Sequence, residues 1–292
     1  MSRRANLLVA AVVSTLGLSL APATAANAAV TITINGAATG RQFDGVGAVS
    51  GGGGTSRLLP DYPAPQQSEI LDYLFKPGFG AALQILKVEI GGDTNSTNGA
   101  EASHMRTASD LNCDRGYEWW LMQQAKARNP NIKLAALAWG APGWLGGGNF
   151  HSQDTIDYLI RWLDCAAAKG LTIDYMGGQN EAGYSKSWLQ SFKSALVAKY
   201  PSTKLIGGDE IGGAWGIVDD MTNDAAFRNA VDVAGVHYPC GHMSPADNCT
   251  PPNSNPMNLS KPVWSSEDGS QHYDTGAPHS PAQSTATTLT AG

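Results

Sequence analysis

The sequence predicts an α/β chain folded as a (β/α)8 TIM barrel that stops short of its eighth strand. Three observations carry this. Short apolar runs alternate with helical patterns along most of the chain, as parallel strands joined by crossover helices do. Most of these runs are rich in apolar residues, as strands covered on both faces must be. About 260 of the 292 residues remain once a leader is set aside, which suits the ~250 of a single barrel.

The elements follow in order. Arg3 and Arg4 precede an uncharged apolar stretch, 7–20, and a run of small residues reaching Ala28 and Ala29. Residues 1–29 are therefore expected to be a secretory signal with an A-x-A type cleavage site near Ala28, and the mature protein to be secreted and extracellular. The stretch is shorter than the ~20 apolar residues of a membrane span, so no stable membrane insertion is expected. Residues 30–36 alternate with period two and end in Asn35-Gly36, which predicts a strand and turn within 30–42. The barrel is expected over 43–275. Its strands are read at 45–49, 83–90, 133–139, 173–177, 204–208, 231–236 and 262–265.

Helical patterns fill several of the gaps, at 67–74, 117–127, 155–169 and 188–200, the last ended by Pro201. In 155–169, Ile156, Leu159, Ile160 and Leu163 recur at three- and four-residue spacing. The four glycines of 51–54 lack the Lys and helix start of a phosphate loop and read as a tightly turning βα loop. From His279 to Thr288 there is no large apolar residue, so 276–292 reads as linker or disordered tail.

Charge and cysteines narrow the function. The chain carries 19 Lys and Arg against 25 Asp and Glu. Loss of Arg3 and Arg4 with the signal leaves 17 against 25, a balance of −8. That argues against nucleic acid as a partner and gives no electrostatic reason to bind anionic membranes; a neutral substrate fits better. No GxGxxG or GxxxxGK[ST] follows a strand. Cys113, Cys165, Cys240 and Cys249 show no zinc spacing. Cys240 and Cys249 flank a polar, Pro-containing loop and are expected to pair in an oxidising compartment; Cys113 and Cys165 either pair or stay as buried thiols. The sequence assigns no oligomeric state.

In a parallel barrel the active site lies at the C-terminal ends of the strands. Two strands end there in glutamates: one runs into Gln179-Asn180-Glu181 and another into Ser265-Ser266-Glu267. Glycosidic cleavage needs a proton for the departing oxygen and an anion to stabilise an oxocarbenium-like carbon, which two carboxyl groups can supply. On rigid strand ends they can be held ~5 Å apart, the retaining geometry. Close placement makes it costly to ionise both, so one can act as acid while the other is an anion. Glu89, Glu101, Asp209 and Glu210 also sit near strand ends, with Glu210 the strongest rival. Residue pattern by itself does not rank them. The mechanism needs no metal or organic cofactor, and His104, His151, His237, His242, His272 and His279 show no ligand spacing. His237 is read as lining the sugar site or satisfying a core hydrogen bond.

A resemblance adds to this. The segments Phe43-Asp44-Gly45-Val46-Gly47-Ala48-Val49-Ser50, Leu86-Lys87-Val88-Glu89-Ile90-Gly91-Gly92-Asp93, Arg115-Gly116-Tyr117-Glu118-Trp119-Trp120, Pro142-Gly143-Trp144-Leu145-Gly146, His237-Tyr238-Pro239 and Trp264-Ser265-Ser266-Glu267-Asp268 resemble, collinearly, the galactocerebrosidase family, glycoside hydrolase family 59. The resemblance implies a retaining exo-β-galactosidase acting on a small-molecule or glycolipid galactoside such as galactosylceramide. It implies Glu181 as general acid/base and Glu267 as nucleophile, Asn180 on the sugar 2-hydroxyl, and Thr97 and Trp139 lining the galactose pocket. The sequence departs from the family at Gln179, where the family usually has Trp. The family's eighth strand, β-sandwich, lectin-like domain and sugar-binding arginine have no counterpart. Two other readings stand beside this one: another barrel glycosidase acting on β-glycans, and a non-catalytic galactoside-binding protein.

Overall fold

The computed structural model describes residues 37, 41–53, 57–97, 99–211, 215–239 and 253–268. The signal at 1–29, the strand at 30–34, the pair Cys240 and Cys249 and the tail at 276–292 lie outside them. The chain divides into Met1–Phe43 and Asp44–Gly292, and the architecture below is that of the second unit.

Seven strands form one parallel sheet in chain order: β1 (Gly47–Ser50), β2 (Ile85–Ile90), β3 (Lys133–Ala138), β4 (Tyr175–Gln179), β5 (Lys204–Glu210), β6 (Val233–His237) and β7 (Val263–Glu267). Each strand pairs with the next, starting from registers such as Gly47 with Ile85 and Ile85 with Lys133. Among the described residues this is a nearly closed barrel of seven strands with no eighth, as the alternation predicts. The helices are α1 (Ala64–Phe75), α2 (Glu118–Arg128), α3 (Gln153–Ala168), α4 (Lys186–Lys199), α5 (Gly216–Asn223) and α6 (Ala225–Ala230). The last two, between β5 and β6, are absent from the sequence reading.

Local chemistry sets the helix starts. Ser152 and Ser185 accept hydrogen bonds from the backbone of Thr155 and Trp188, and Asp224 from that of Phe227, each satisfying one of the amides that open a helix. At α2 the acceptor comes from a distant residue: Glu101 Oε1 takes the N–H of Tyr117 at 3.0 Å and of Glu118 at 3.4 Å.

Apolar side chains occupy two layers. The larger lies between sheet and helices and includes Leu86, Val88, Leu134, Leu159, Phe192, Leu205 and Phe227, all 2% exposed or less. There Trp119 of α2 stacks on Trp162 of α3 at 4.7 Å, and a disulfide joins Cys113 to Cys165 with Cα atoms 5.0 Å apart. The left-open alternative for these two cysteines resolves to pairing. The smaller layer closes the bottom of the barrel: Ala135, Tyr175, Ile206 and Val233, with Ile85 and Trp264 against them. Because side chains alternate along a strand, Lys87 and Glu89 point to the same interior as Ile85, nearer the upper rim.

Candidate active site

β-bulges shape the upper rim. Between β3 and β4 the register shifts beyond Ala136, between β5 and β6 beyond Gly208, and between β6 and β7 beyond Val236. The second shift leaves Asp209 as the extra residue of β5, and the third leaves Ser266 as that of β7. Bulges re-aim side chains at sheet ends. Here the two extra residues meet, Ser266 Oγ donating to Asp209 Oδ1 at 2.8 Å. Glycines make the room. A Cβ on Gly177 would lie 2.8 Å from Asp209 Oδ2, and one on Gly235 would lie 2.7 Å from Ser266 Oγ.

Three rim residues adopt left-handed backbone: Glu181 (φ 50°), Asp209 (φ 58°) and Tyr238 (φ 45°). Such conformations cost about 1–3 kcal/mol each and persist where surrounding contacts impose them. Neighbouring strands supply those contacts, with Glu181 N–H donating to Asp209 O at 3.0 Å and Tyr238 N–H to Glu267 O at 2.9 Å. Asn180 N–H is held by Ala138 O at 2.8 Å.

The result is a compact polar centre. One carboxylate oxygen from each of Glu181 and Glu267, together with a ring nitrogen of His237, lie within 4.8 Å of one another. His237 is fully buried, with Nδ1 2.9 Å from Glu181 Oε1 and 3.9 Å from Glu267 Oε2. Tyr238 donates its hydroxyl to Glu267 Oε1 at 3.0 Å. Burial, then the charge of Glu267, pushes the tyrosine's titration well up, so it stays a donor. Beneath them, Lys87 Nζ sits 3.1 Å from Asp209 Oδ1. Burial by itself would raise Asp209, but Lys87 and the hydrogen bonds from His237 and Ser266 outweigh it and hold the carboxyl far below its usual range. Glu267 Oε2 and Asn180 Oδ1 are buried and have no hydrogen-bond partner among the described residues. Both are acceptors, and buried acceptors call for donors; the hydroxyls of a sugar are donors of that kind.

The other sequence-predicted residues take graded places. Trp139 stands at the same rim, its ring centroid 5.8 Å from Lys87 Nζ and its edge against Gly51. Exposed Thr97 packs on Gly52 of the glycine run, its N–H on Gly52 O at 3.2 Å. Of the rival carboxylates, Asp209 is 1% exposed and paired with Lys87. Glu210 ends β5, raised by burial and by the charges of Asp209 and Glu181. Glu89 and Glu101 belong to a separate buried group with Glu118.

A model described as glycosyl hydrolase family 59 matches residues 43–289. The chain belongs to that family. Curated galactocerebrosidases of Macaca mulatta and Homo sapiens are 48% and 47% identical to it over 246 residues, covering 82% of this chain and 34% of theirs. The chain thus spans about a third of the length of the curated relatives it matches. Among solved structures, the catalytic domain of GH30 xylanase C from Talaromyces cellulolyticus superposes with a TM-score of 0.58 at 19% identity, over 77% of this chain and 57% of that one. At that identity the likeness bears on the fold alone, a barrel.

Within this family-59 barrel, sequence reasoning missed the partnership of Lys87, Asp209 and His237. A signal was present: Lys87 and Glu89 place charges at alternate positions of an otherwise apolar strand. The histidines show no ligand spacing in sequence. Yet Glu181, His237 and Glu267 are the one group among the described residues with donors close enough to hold a metal ion. Lys87, 3.3 Å from the far nitrogen of that ring, sets a positive charge against a cation there.

Proposed function

We propose that the protein is a retaining exo-β-galactosidase, removing terminal β-galactose from galactosides that include galactosylceramide-like glycolipids, and that it acts after export. The observation that carries this is that one carboxylate oxygen of Glu181 and one of Glu267 lie within 4.8 Å of each other at the ends of β4 and β7, which suits the ~5 Å separation of a retaining pair. In this reading Glu181 gives its proton to the departing oxygen while a Glu267 oxygen bonds to the sugar carbon. Water then attacks that carbon, Glu181 takes the water's proton, and Glu267 leaves as a carboxylate. Asn180 receives the 2-hydroxyl, Trp139 offers an apolar face to the sugar, and Thr97 lines the pocket. The galactose preference is drawn from the similarity to the curated galactocerebrosidases.

The test is turnover of an aryl β-galactoside with NMR detection of the first-formed anomer. Release of β-galactose is expected. Glu267→Ala should abolish turnover, and Glu181→Ala should lower it by about 10²–10⁴-fold, with azide restoring turnover of activated substrates in the latter as the β-galactosyl azide, whereas rescue of Glu267→Ala would give the α-azide. Cleavage of an aryl β-glucoside and no galactoside would move the chain to a β-glycan hydrolase. Galactoside binding without turnover would make it a binding protein.

A further inference from the structure

The buried groups behind the two glutamates have no part in the steps above. Lys87 Nζ reaches across the barrel to Asp209 Oδ1 at 3.1 Å, Ser266 O at 3.2 Å and His237 Nε2 at 3.3 Å. Asp209 Oδ1 also lies 3.1 Å from His237 Nε2. The imidazole completes the chain with Nδ1 2.9 Å from Glu181 Oε1. Lys87, Asp209 and His237 come from β2, β5 and β6, and each is 5% exposed or less.

Their partners constrain the protons on the ring. Nε2 faces an anionic acceptor, Asp209, and a cationic donor, Lys87. A protonated Nε2 can donate to the first, and an unprotonated Nε2 can accept from the second, so either state is satisfied on that side. Among the described residues, Nδ1 faces only carboxyl groups: Glu181 at 2.9 Å and Glu267 at 3.9 Å. A lone pair there would oppose an ionised oxygen. An N–H there suits Glu181 when it is ionised, and equally when it carries its proton on the other oxygen.

We propose that His237 is a positioning residue for Glu181: it keeps a proton on Nδ1 and donates it to Oε1 throughout, so that Oε2 is the oxygen that gives and retakes the proton of the reaction. Asp209 and Lys87 let the ring be cationic or neutral without turning. The proposal rests on the reading of Glu181 as acid/base. Its protons balance. Glu181 Oε2–H passes to the departing oxygen as that C–O bond breaks and the bond from Glu267 forms. Oε2 recovers a proton from the water that displaces Glu267. His237 ends each half-reaction as it began.

A residue that only supports the fold would affect all substrates alike; one that aims the acid affects those whose leaving group needs protonation. His237→Leu and His237→Gln are compared with the parent on an alkyl β-galactoside and on 2,4-dinitrophenyl β-galactoside. His237→Leu should lower kcat/KM on the alkyl substrate by about 100-fold or more, and on the dinitrophenyl substrate by less than about 5-fold. His237→Gln, which keeps an N–H donor, should recover about tenfold of the alkyl loss. Equal losses on both substrates would overturn the proposal. A parent that cleaved neither galactoside would sink the functional reading instead, and the proton is therefore also read directly. In ¹⁵N spectra of the parent's imidazoles, His237 is identified by the signal that His237→Gln lacks, and its Nδ1 should stay protonated from about pH 5 to 8. An unprotonated Nδ1 within that range would overturn the proposal whatever the activity.

Discussion

A lysine ammonium in a barrel interior costs several kcal/mol to desolvate and is tolerated only with close partners. Lys87 is 5% exposed and stands 3.1 Å from Asp209, 1% exposed, so each charge is the other's compensation. Lys87→Met should therefore destabilise the protein by about 3–5 kcal/mol, because it leaves Asp209 buried and uncompensated. Adding Asp209→Asn should recover part of that loss, since the two sites share one interaction. Urea unfolding of the parent, both single variants and the double variant gives the coupling; simple additivity would mean the pair does not act as one unit. The same residues mark how far the site was legible. Glu181, Asn180 and Glu267 could be named as candidates because each follows an apolar strand, where barrel chemistry collects, but the family resemblance was needed to set them above Glu89, Asp209 and Glu210. Asp209 could be seen as a carboxylate at a strand end, but its role as partner of Lys87 depends on a bulge. A bulge is a feature of strand pairing, and nothing in 204–210 alone announces it.

Among the elements, those legible in sequence had a long apolar stripe or an apolar run with clear ends. The seven strands lie where they are expected, within a few residues, and α1 to α4 overlap the predicted helices. Helices α5 and α6 are short, and Asp224 both ends one and caps the other. A break of that kind interrupts the three- and four-residue spacing before it becomes a pattern. The disulfide shows the same limit. Its two cysteines are 52 residues apart, and only packing brings the segment before α2 against α3. Closing a loop of that length restricts the unfolded chain, a stabilisation of about 4 kcal/mol in the chain-entropy model. Cys113→Ser with Cys165→Ser should lower the stability by about 2–4 kcal/mol in non-reducing urea titrations. A change below about 1 kcal/mol would mean that the stacking of Trp119 on Trp162 already holds the two helices without the bond.

At the scale of the whole barrel, β1 and β7 are the edges of the sheet among the described residues. A side-chain bond spans the gap, Trp264 Nε1 donating to Asp44 Oδ2 at 2.7 Å. The stability of this barrel has a built-in pH dependence, because two sets of buried carboxyls titrate in opposite senses. Glu89, Glu101 and Glu118 are each 3% exposed or less and lie where the ends of β1 and β2 meet the start of α2. Ser50 donates to Glu118 Oε1 at 2.7 Å and Gly53 N–H to Glu89 Oε2 at 2.7 Å. Burial outweighs these bonds: Glu89 is raised, Glu101 is pushed up to about 7, and Glu118 stands well above its usual value. Groups raised on folding bind more protons in the folded state. Their contribution is complete below the unfolded value of 4.5 and each group's share is lost as pH climbs through its own raised folded value, about 7 for Glu101. Asp209 works the other way. Its contribution is present above its unfolded value of 3.8 and lost below it as pH falls toward the depressed folded value. The optimum for stability should therefore lie on the acid side, about pH 4–5. Glu101 alone should account for roughly 3 kcal/mol of decline between that optimum and neutral pH, at about 1.4 kcal/mol per unit. Urea unfolding across this range should show the midpoint falling as pH rises, and Glu101→Gln with Glu118→Gln should flatten the slope. A midpoint that is level or climbs toward neutrality would mean these three carboxyls are ionised in the folded barrel, with burial failing to hold their protons.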